Sequence, residues 1–206
     1  MVSLPPDAPF TPEQIGWLNG YLAARMQVQG STAPLHNSST APQHNSNSAP
    51  QQGPATQGLP LTILWGSQTG NSEGLAKKAS KMLTAKGHTV TVTDMGEAEA
   101  ETLTKAENLL VITSTYGDGE PPDNAQALHE SLHADNAPKL ENTNFSVLGL
   151  GDSEYPDFNQ CAKEFDSVLE KLGAKRLAPL IESDVDYDDP FDQWMGAITE
   201  NLAAVA

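Results

Sequence analysis

The segment GSQTGNS, residues 66–72, combines glycines with hydroxyl and amide side chains directly after the apolar run LTILW. Ser67, Gln68 and Thr69 offer side-chain hydrogen-bond donors, and Gly70 allows a ligand to approach the backbone closely. A helix that starts after this turn directs its free N–H groups and its positive dipole end toward an anion. Because the lysine of a nucleoside-triphosphate loop is absent, the segment predicts a phosphate monoester held by neutral donors. The alternative is an ordinary polar turn that caps a helix.

Two further loops place aromatic side chains next to glycines. STYGDGEPP, residues 114–122, contains Tyr116, and LGDSEYPDFN, residues 150–159, contains Tyr155 and Phe158. Aromatic faces stack on planar ligands, and exposed glycine amides can meet the polar edge of a ring. Each loop taken singly is also consistent with a glycine-rich surface turn. If they meet the first loop, the three together describe a site for a phosphorylated planar cofactor.

Strand and helix signals alternate along residues 60–206, which predicts how these loops are positioned. The strand candidates are residues 61–65, 89–93, 109–113, 145–150 and 176–182. The helix candidates are residues 71–86, 97–105, 123–134, 157–172 and 190–204.

Two of the strand candidates, NLLVIT and FSVLGL, are apolar along their length, which is typical of strands buried on both faces. The pattern therefore predicts an α/β domain with a doubly wound, five-stranded parallel sheet in the flavodoxin-like order 2-1-3-4-5. Ligands bind such sheets beyond the carboxyl ends of the strands, where the strand order reverses. The loops after strands 1, 3 and 4 are thus expected to converge.

Two different segments precede this domain. Residues 1–28 predict one short amphipathic helix, in which Thr11 and Gln14 form a capping box. Its apolar stripe consists of Ile15, Leu18, Leu22 and Met26. A lone helix cannot bury such a stripe, so it packs on its own domain or serves assembly with another subunit. Residues 29–59 contain the near-identical octapeptides STAPLHNS and STAPQHNS, and their composition predicts a disordered, flexible linker.

Composition argues against several classes of protein. The net charge is −16, and nearly all of it falls in residues 60–206, which disfavours binding to nucleic acid or to an anionic membrane. No run approaches the roughly 20 apolar residues of a membrane span, and the first residues lack the basic and apolar regions of a secretory signal. Cys161 is the only cysteine and cannot form an internal disulfide. A cytoplasmic location is expected.

Taken together, SQTGN, TSTYGDGEPPDNA and LGLGDSEYPDFNQCAKEFDSVLEKLGAKR resemble the FMN-binding domain of the diflavin reductase family. That family includes cytochrome P450 reductase, nitric oxide synthase reductase and the flavoprotein subunits of sulfite reductase. The likeness covers essentially all of residues 60–206. APKLENTNFSVLGLGDSEY, ESDVDYDDPFDQW and TPEQIGWLNGY resemble the bacterial, NADPH-dependent assimilatory sulfite reductase flavoproteins (alpha components) in particular.

The resemblance implies that the cofactor is FMN and that three loops bind it. The first loop would hold the phosphate. The second loop would line one face and the N5 edge of the isoalloxazine, and the third loop would cover the other face, with Tyr155 as the stacking ring. The implied binding residues are Ser67, Gln68, Thr69, Gly70, Asn71, Ser72, Ser114, Thr115, Tyr116, Gly117, Leu150, Gly151, Asp152, Ser153, Glu154, Tyr155, Pro156, Asp157, Phe158 and Asn159. Asp184 is a further candidate for contact with the ribityl chain. Neither a catalytic side chain nor a metal ligand is implied.

The resemblance also implies partners. FMN would receive electrons from an FAD- and NADPH-binding reductase domain, in the same or another polypeptide, and pass them to the sirohaem subunit that reduces sulfite to sulfide. FAD and NADPH would bind only that reductase half. The N-terminal helix suggests a homo-oligomer. The acidic residues around the loops, namely Asp118, Asp152, Glu154 and Asp157, are expected to lower the flavin potential and to steer basic partner surfaces.

Other interpretations compete with this one. A stand-alone flavodoxin-type carrier and a flavodoxin-like scaffold without flavin both fit the strand pattern. HESLH, residues 129–133, matches the HExxH pattern of zinc proteases, and Glu154 follows near the spacing of a third ligand. Glu154 falls in a loop instead of a second helix, so a metal site is not predicted. Cys161, at a helix start, is expected to be packed and not reactive.

Overall fold

A parallel β-sheet organises residues 58–205, the part of the chain that the structure, a computed structural model, describes. Its strands are β1 (Pro60–Gly66), β2 (Thr89–Asp94), β3 (Asn108–Ser114), β4 (Asn144–Leu150), β5 (Lys175–Arg176) and β6 (Ile181–Ser183). The strand order is β2-β1-β3-β4-β5, and β6 also pairs with β4. This confirms the predicted doubly wound order. The predicted helix in residues 1–28 and residues 29–57 of the predicted linker lie outside the described residues.

The helices follow the strands and cover both faces of the sheet. They are α1 (Asn71–Ala85), α2 (Ala100–Leu103), α3 (Gln126–His133), α4 (Gln160–Lys171) and α5 (Asp188–Val205). In the described residues, no helix has the length and apolarity needed to cross a membrane.

The helix predicted over residues 97–105 is wrong in its extent. A 3₁₀ turn, Met95–Glu97, is capped by Asp94, whose Oδ1 accepts the Gly96 N–H at 2.8 Å. Extended backbone at Ala98 and Glu99 then separates this turn from α2. These two extended residues break the helical hydrogen-bond pattern, so the segment forms two short pieces in place of one continuous helix.

The single strand predicted over residues 176–182 is also wrong, because two short strands replace it. Arg176 pairs with Phe145 of β4, whereas Ile181 pairs with Leu148. Three steps along β4 therefore correspond to five steps along the edge segment, and the extra residues bulge out of the ladder. Pro179 lies in this interruption and has no N–H to donate to the sheet.

Two hydrophobic clusters fill the space between the sheet and the helices. Alternate residues of β3 belong to different clusters: Leu109 and Val111 face one, and Leu110 and Ile112 face the other. This confirms that the central strands are buried on both faces. The largest buried side chain, Trp194 of α5, donates from its indole nitrogen to Ser146 Oγ at 2.8 Å, so its one polar group is satisfied.

The register of the central strands brings three loops to one edge of the sheet. Gly66 at the end of β1 pairs with Thr113, and Ser114 at the end of β3 pairs with Leu150 at the end of β4. The loops that follow these strands therefore start side by side, as the strand order predicted.

Candidate functional site

A cleft of about 550 Å³ lies at this edge of the sheet. Its walls come from the loops after β1, β3, β4 and β6. The lining residues are Thr69, Asn71, Ser114, Thr115, Tyr116, Gly117, Leu150, Gly151, Asp152, Tyr155, Asp157, Phe158, Asn159, Asp184, Val185 and Tyr187. All three predicted loops contribute, and most of the predicted binding residues line this space. The predicted residues that do not line it are Ser67, Gln68, Gly70, Ser72, Ser153, Glu154 and Pro156.

The first loop turns sharply into α1. Gly70 adopts the left-handed conformation with φ of 88°, and space for a Cβ atom around it is open. Ser67 Oγ accepts the N–H groups of Gly70 at 2.9 Å and Ser72 at 3.4 Å. The turn therefore holds backbone N–H groups in one direction at the start of α1, where the helix dipole is positive. Thr69 and Asn71 are the residues of this loop that reach the cleft.

The outer side of the first loop is attached to the chain that leads into α3. Gln68 exchanges two hydrogen bonds with Asp123, at 3.1 and 3.3 Å. The Ser67 N–H donates to Asn124 Oδ1 at 3.0 Å. Sequence reasoning missed Asp123 and Asn124, although the quoted segment TSTYGDGEPPDNA contains both.

The second loop is a closed turn that presents Tyr116. Tyr116 and Glu120 exchange backbone hydrogen bonds at 2.9 and 2.8 Å. Gly117 and Gly119 take positive φ values of 54° and 94°, which side chains rarely adopt. The Tyr116 side chain remains 52% exposed at the cleft, so its ring is available to a ligand.

The third loop is folded on its own polar atoms and presents Tyr155. Asp152 Oδ1 accepts the Glu154 N–H at 2.9 Å, and the Asp152 carbonyl accepts the Tyr155 N–H at 3.1 Å. Tyr155 is 62% exposed. A Cβ atom added at Gly119 would lie 2.9 Å from the Asp157 Cβ, so the second and third loops pack directly against each other.

A fourth segment, after β6, completes the cleft. Asp184 accepts the Ser153 N–H at 3.1 Å and the Val185 N–H at 2.8 Å, and it also accepts the Ser153 hydroxyl proton. These bonds lower the pKa of the Asp184 carboxyl, the Ser153 hydroxyl contributing most. Val185, at 70% exposure, and Tyr187 also line the cleft. Sequence reasoning missed both, although the fifth predicted strand ends at the same edge as the others.

Several polar atoms near the cleft have no partner among the described residues. They are Ser72 Oγ, Ser114 Oγ and Asn159 Oδ1, and all three atoms are buried. A buried polar group without a partner is costly, so such atoms point to a ligand or to water at this place. Hydroxyl groups can form hydrogen bonds both with phosphate oxygens and with polar ring atoms.

The charge of the cleft is negative. Asp152, Asp157 and Asp184 line it, and among the described residues neither lysine, arginine nor histidine does. Lys77 and Lys78 of α1 point elsewhere: Lys77 pairs with Glu73, and Lys78 lies 3.5 Å from Asp192. Among the residues of the first loop that reach the cleft, Thr69 and Asn71, the side-chain donors are therefore a neutral hydroxyl and a neutral amide.

The HESLH segment forms the C-terminal part of α3, where its histidines contact a glutamate and each other. His129 Nε2 lies 2.8 Å from Glu164 Oε2, and the His133 ring centroid lies 4.2 Å from that of His129. Burial lowers the pKa of His129. The described residues contain no group of three or more side chains that could hold a metal ion.

Cys161 is fully buried at the start of α4, which confirms the prediction that it is packed. Its Sγ lies 3.5 Å from Thr113 Oγ1. Burial raises the pKa of the Cys161 thiol to about 12, so the nucleophilic thiolate is disfavoured.

Comparison with known proteins gives a consistent result. The family model described as Flavodoxin matches residues 63–194. The chain is 44% identical over 196 residues to the sulfite reductase [NADPH] flavoprotein alpha-component of Bacillus subtilis (strain 168), covering 93% of this chain and 30% of the relative. It is 36% identical over 208 residues to the protein of the same name from Mannheimia succiniciproducens, covering 98% of this chain and 33% of that relative. The chain thus spans about a third of the length of these relatives.

Among solved structures, a flavodoxin of Streptococcus pneumoniae TIGR4 superposes with a TM-score of 0.64 at 30% identity, covering 71% of this chain and 99% of that protein. A cysteine-to-alanine mutant of flavodoxin from Pseudomonas aeruginosa gives a TM-score of 0.58 at 30% identity, covering 68% of this chain and 99% of the flavodoxin.

Proposed function

Because this chain belongs to the flavodoxin family, we propose that its cleft binds FMN and that the domain serves as an electron-transfer module. The observation that carries the proposal is the make-up of the cleft. Two exposed aromatic rings, Tyr116 and Tyr155, line the same space as Thr69 and Asn71 at the start of α1. That space accommodates a planar ring system and a phosphate at once.

The residues present fit this cofactor. The first loop would hold the phosphate, with the side chains of Thr69 and Asn71 and the N–H groups at the start of α1 that Ser67 does not engage as donors. The tyrosines of the second and third loops would cover the ring. Bound FMN would supply the electron transfer itself, and the chain would position it and set its electrostatic surroundings. The family and the solved flavodoxins support a flavin as the bound group.

The proposed electron flow follows from the relatives. The module would accept electrons from an FAD- and NADPH-binding reductase half and pass them to the haem-containing subunit of sulfite reductase. Support comes from the name of the relatives and from the extent of the match. The match covers 93% of the chain, which is a larger share than residues 58–206 make up. The similarity therefore reaches into the segment that precedes the domain.

A stand-alone flavodoxin-type carrier is the second candidate. The observation in its favour is that residues of this chain cover 99% of a complete flavodoxin. The N-terminal segment argues for the first candidate, because the match to the sulfite reductase flavoproteins includes part of it.

The test begins with the purified chain. We expect a yellow protein whose flavin, released by denaturation, is FMN and neither FAD nor riboflavin by chromatography. A protein that stays colourless and shows no spectral change when FMN is added to micromolar concentration would contradict the proposal. Mixing the FMN-loaded chain with the haem subunit and a reductase half then separates the two candidates. Only the sulfite reductase module is expected to support NADPH-dependent sulfide formation.

A further inference from the structure

We propose that Asn124 is a positioning residue that fixes the phosphate-binding loop in its binding conformation; this inference rests on the proposed function. Asn124 lies just before α3 and does not line the cleft. It would act through the backbone of the first loop. Its effect would therefore fall on the phosphate end of the ligand and spare the ring.

The hydrogen bonds of Asn124 support this role. Its Oδ1 accepts the Ser67 N–H at 3.0 Å, and its Nδ2 donates to the Trp65 carbonyl at 3.3 Å. One side chain thus holds the backbone on both sides of Gly66, where β1 ends and the loop begins. The Ser67 N–H lies just beyond the end of β1, and a backbone donor that is partly buried needs a partner such as Asn124.

A second contact fixes the amide itself. Asn124 Nδ2 also donates to Asp94 Oδ1 at 2.8 Å, and the same oxygen accepts the Gly96 N–H at 2.8 Å. Asp94 stands at the end of β2. Because the carboxylate only accepts, it orients the Asn124 amide so that its oxygen faces the Ser67 N–H. The ends of β1 and β2 and the start of α3 are joined through two side chains.

Packing at Gly66 shows how closely these segments approach. A Cβ atom added there would lie 2.9 Å from the Ala125 Cβ, the Met95 Sδ and the Thr113 Oγ1. The loop therefore starts in a space with no room to shift. Beyond it, Gln68 and Asp123 add their two hydrogen bonds at the exposed side.

The consequence is a preformed site. The loop must keep Ser67 Oγ against the N–H groups of Gly70 and Ser72, and it can do so only if the Ser67 backbone is held. Without Asn124 the loop would sample other conformations, and the entropy lost in ordering it would oppose phosphate binding. The isoalloxazine and ribityl contacts, which come from other loops, would be unaffected.

The experiment compares FMN with riboflavin, which lacks the phosphate, on the apo form of the full chain. For Asn124→Ala we expect the dissociation constant for FMN to rise about tenfold while that for riboflavin changes less than about twofold. A variant that merely destabilised the domain would weaken both ligands equally. Equal loss of affinity for both, or an unchanged preference for FMN, would overturn the proposal.

Asn108→Ala is the matched control. Asn108 also donates to a backbone carbonyl, that of Pro60 at 3.0 Å, and accepts from Asn144, but it lies at the opposite edge of the sheet. It is expected to lower stability and leave the FMN-to-riboflavin preference unchanged.

A second variant covers the case in which Asn124→Ala does not fold. Asn124→Asp keeps an acceptor for Ser67 but loses the donor and places a second charge beside Asp94. We expect a reduced preference for FMN, partly restored in the double variant Asp94→Asn with Asn124→Asp, which exchanges donor and acceptor. If the double variant did not regain any preference for FMN, the proposed role of the Asp94–Asn124 hydrogen bond would be overturned. If the unmodified chain itself does not prefer FMN over riboflavin, the proposed function fails first, which is a separate outcome.

Discussion

Tyr155 exposes 62% of its surface beside a cleft, although an aromatic ring of this size contributes most to stability or binding when it is buried. Tyr116 and Val185, the other large apolar side chains that are exposed among the described residues, line the same cleft. Their clustering is typical of a surface completed by a ligand.

Replacing Tyr155 by alanine is expected to weaken FMN binding by roughly tenfold, because stacking contributes about 0.5–1.5 kcal/mol beyond the area that the ring buries. Tyr155→Phe keeps the ring and should retain nearly full affinity. Fluorescence titration of the apo protein measures both. Equal affinities of the alanine and phenylalanine variants would show that the ring does not contact the cofactor.

The acidic side chains near the cleft have an electrostatic consequence. Carboxylates there disfavour the additional negative charge that reduction brings, so they should lower the potential of the bound flavin. Asp152→Asn combined with Glu154→Gln is expected to raise the midpoint potential by roughly 10–50 mV. Asparagine is chosen because Asp152 Oδ1 accepts the Glu154 N–H and this bond should remain.

Spectroelectrochemical titration measures the change. Glu107→Gln is the control, because Glu107 is exposed and precedes β3 at the opposite edge of the sheet. An unchanged or lower potential in the double variant would contradict the electrostatic explanation.

At the scale of elements, the third loop depends on the segment after β6. Asp184 accepts the Ser153 hydroxyl and N–H, which lowers the pKa of its carboxyl. A lowered pKa means that this stabilisation is present above the ordinary pKa near 3.8 and is lost as pH falls through the lowered value.

Ser153→Ala is therefore expected to raise the Asp184 pKa toward its ordinary value, so that acid releases the loop, and FMN with it, at a higher pH. NMR titration of the Asp184 carboxyl carbon gives the pKa directly. Ser167→Ala, an exposed position on α4, serves as control. The same Asp184 pKa with and without the Ser153 hydroxyl would refute the coupling.

The contact between the second and third loops depends on the absence of a side chain at Gly119. Its φ of 94° and the 2.9 Å approach to the Asp157 Cβ make Gly119→Ala doubly unfavourable. We expect a loss of about 1–3 kcal/mol in unfolding free energy together with weaker FMN binding.

Gly87→Ala is the matched comparison. Gly87 has φ of 95°, nothing within 4 Å of an added Cβ, and a position after α1 away from the cleft. The Gly87→Ala substitution should lower the unfolding free energy by about 1 kcal/mol and leave FMN affinity unchanged. Urea unfolding and flavin titration compare the two variants, and equal effects on FMN binding would contradict the loop contact.

The sequence predicts some elements better than others, for physical reasons. β3 and β4 were predictable because their continuous apolar runs are buried on both faces. The break between β5 and β6 depends on pairing with β4, and the cap by Asp94 depends on one side chain, so neither follows from periodicity. The three predicted loops do line the cleft, because strand order alone determines where they start.

Contacts between loops were beyond prediction. Asn124 reaches Ser67 across 57 positions of the chain, and Ser153 reaches Asp184 across 31. Such pairs depend on the tertiary arrangement, which a single sequence does not reveal.

At the scale of the whole molecule, the folded domain and the segment before it divide the proposed work. Leu59, near the start of the domain, is held by two hydrogen bonds: its N–H donates to His88 Nδ1 at 3.1 Å, and its carbonyl accepts the Thr89 N–H. Within residues 58–205, the residues that line the cleft all lie after this point.

Deleting residues 1–30 is accordingly expected to leave FMN affinity within about twofold while reducing self-association or binding to partner subunits. Flavin titration and sedimentation analysis of the shortened and full chains measure the two properties. Loss of FMN on deletion would contradict this division of labour, and so would unchanged assembly.

The broken edge strand has a consequence for the solution behaviour of such a module. An edge strand with a long row of free backbone groups invites strands of other molecules and promotes aggregation. Here β5 has two residues and β6 has three residues, and the register shifts between them. Pro179, which lies between them, interrupts the row of backbone N–H donors. Lys175 and Arg176 add charge to the same edge. This edge of the sheet therefore offers little template for pairing with a strand of another molecule, even at high protein concentration.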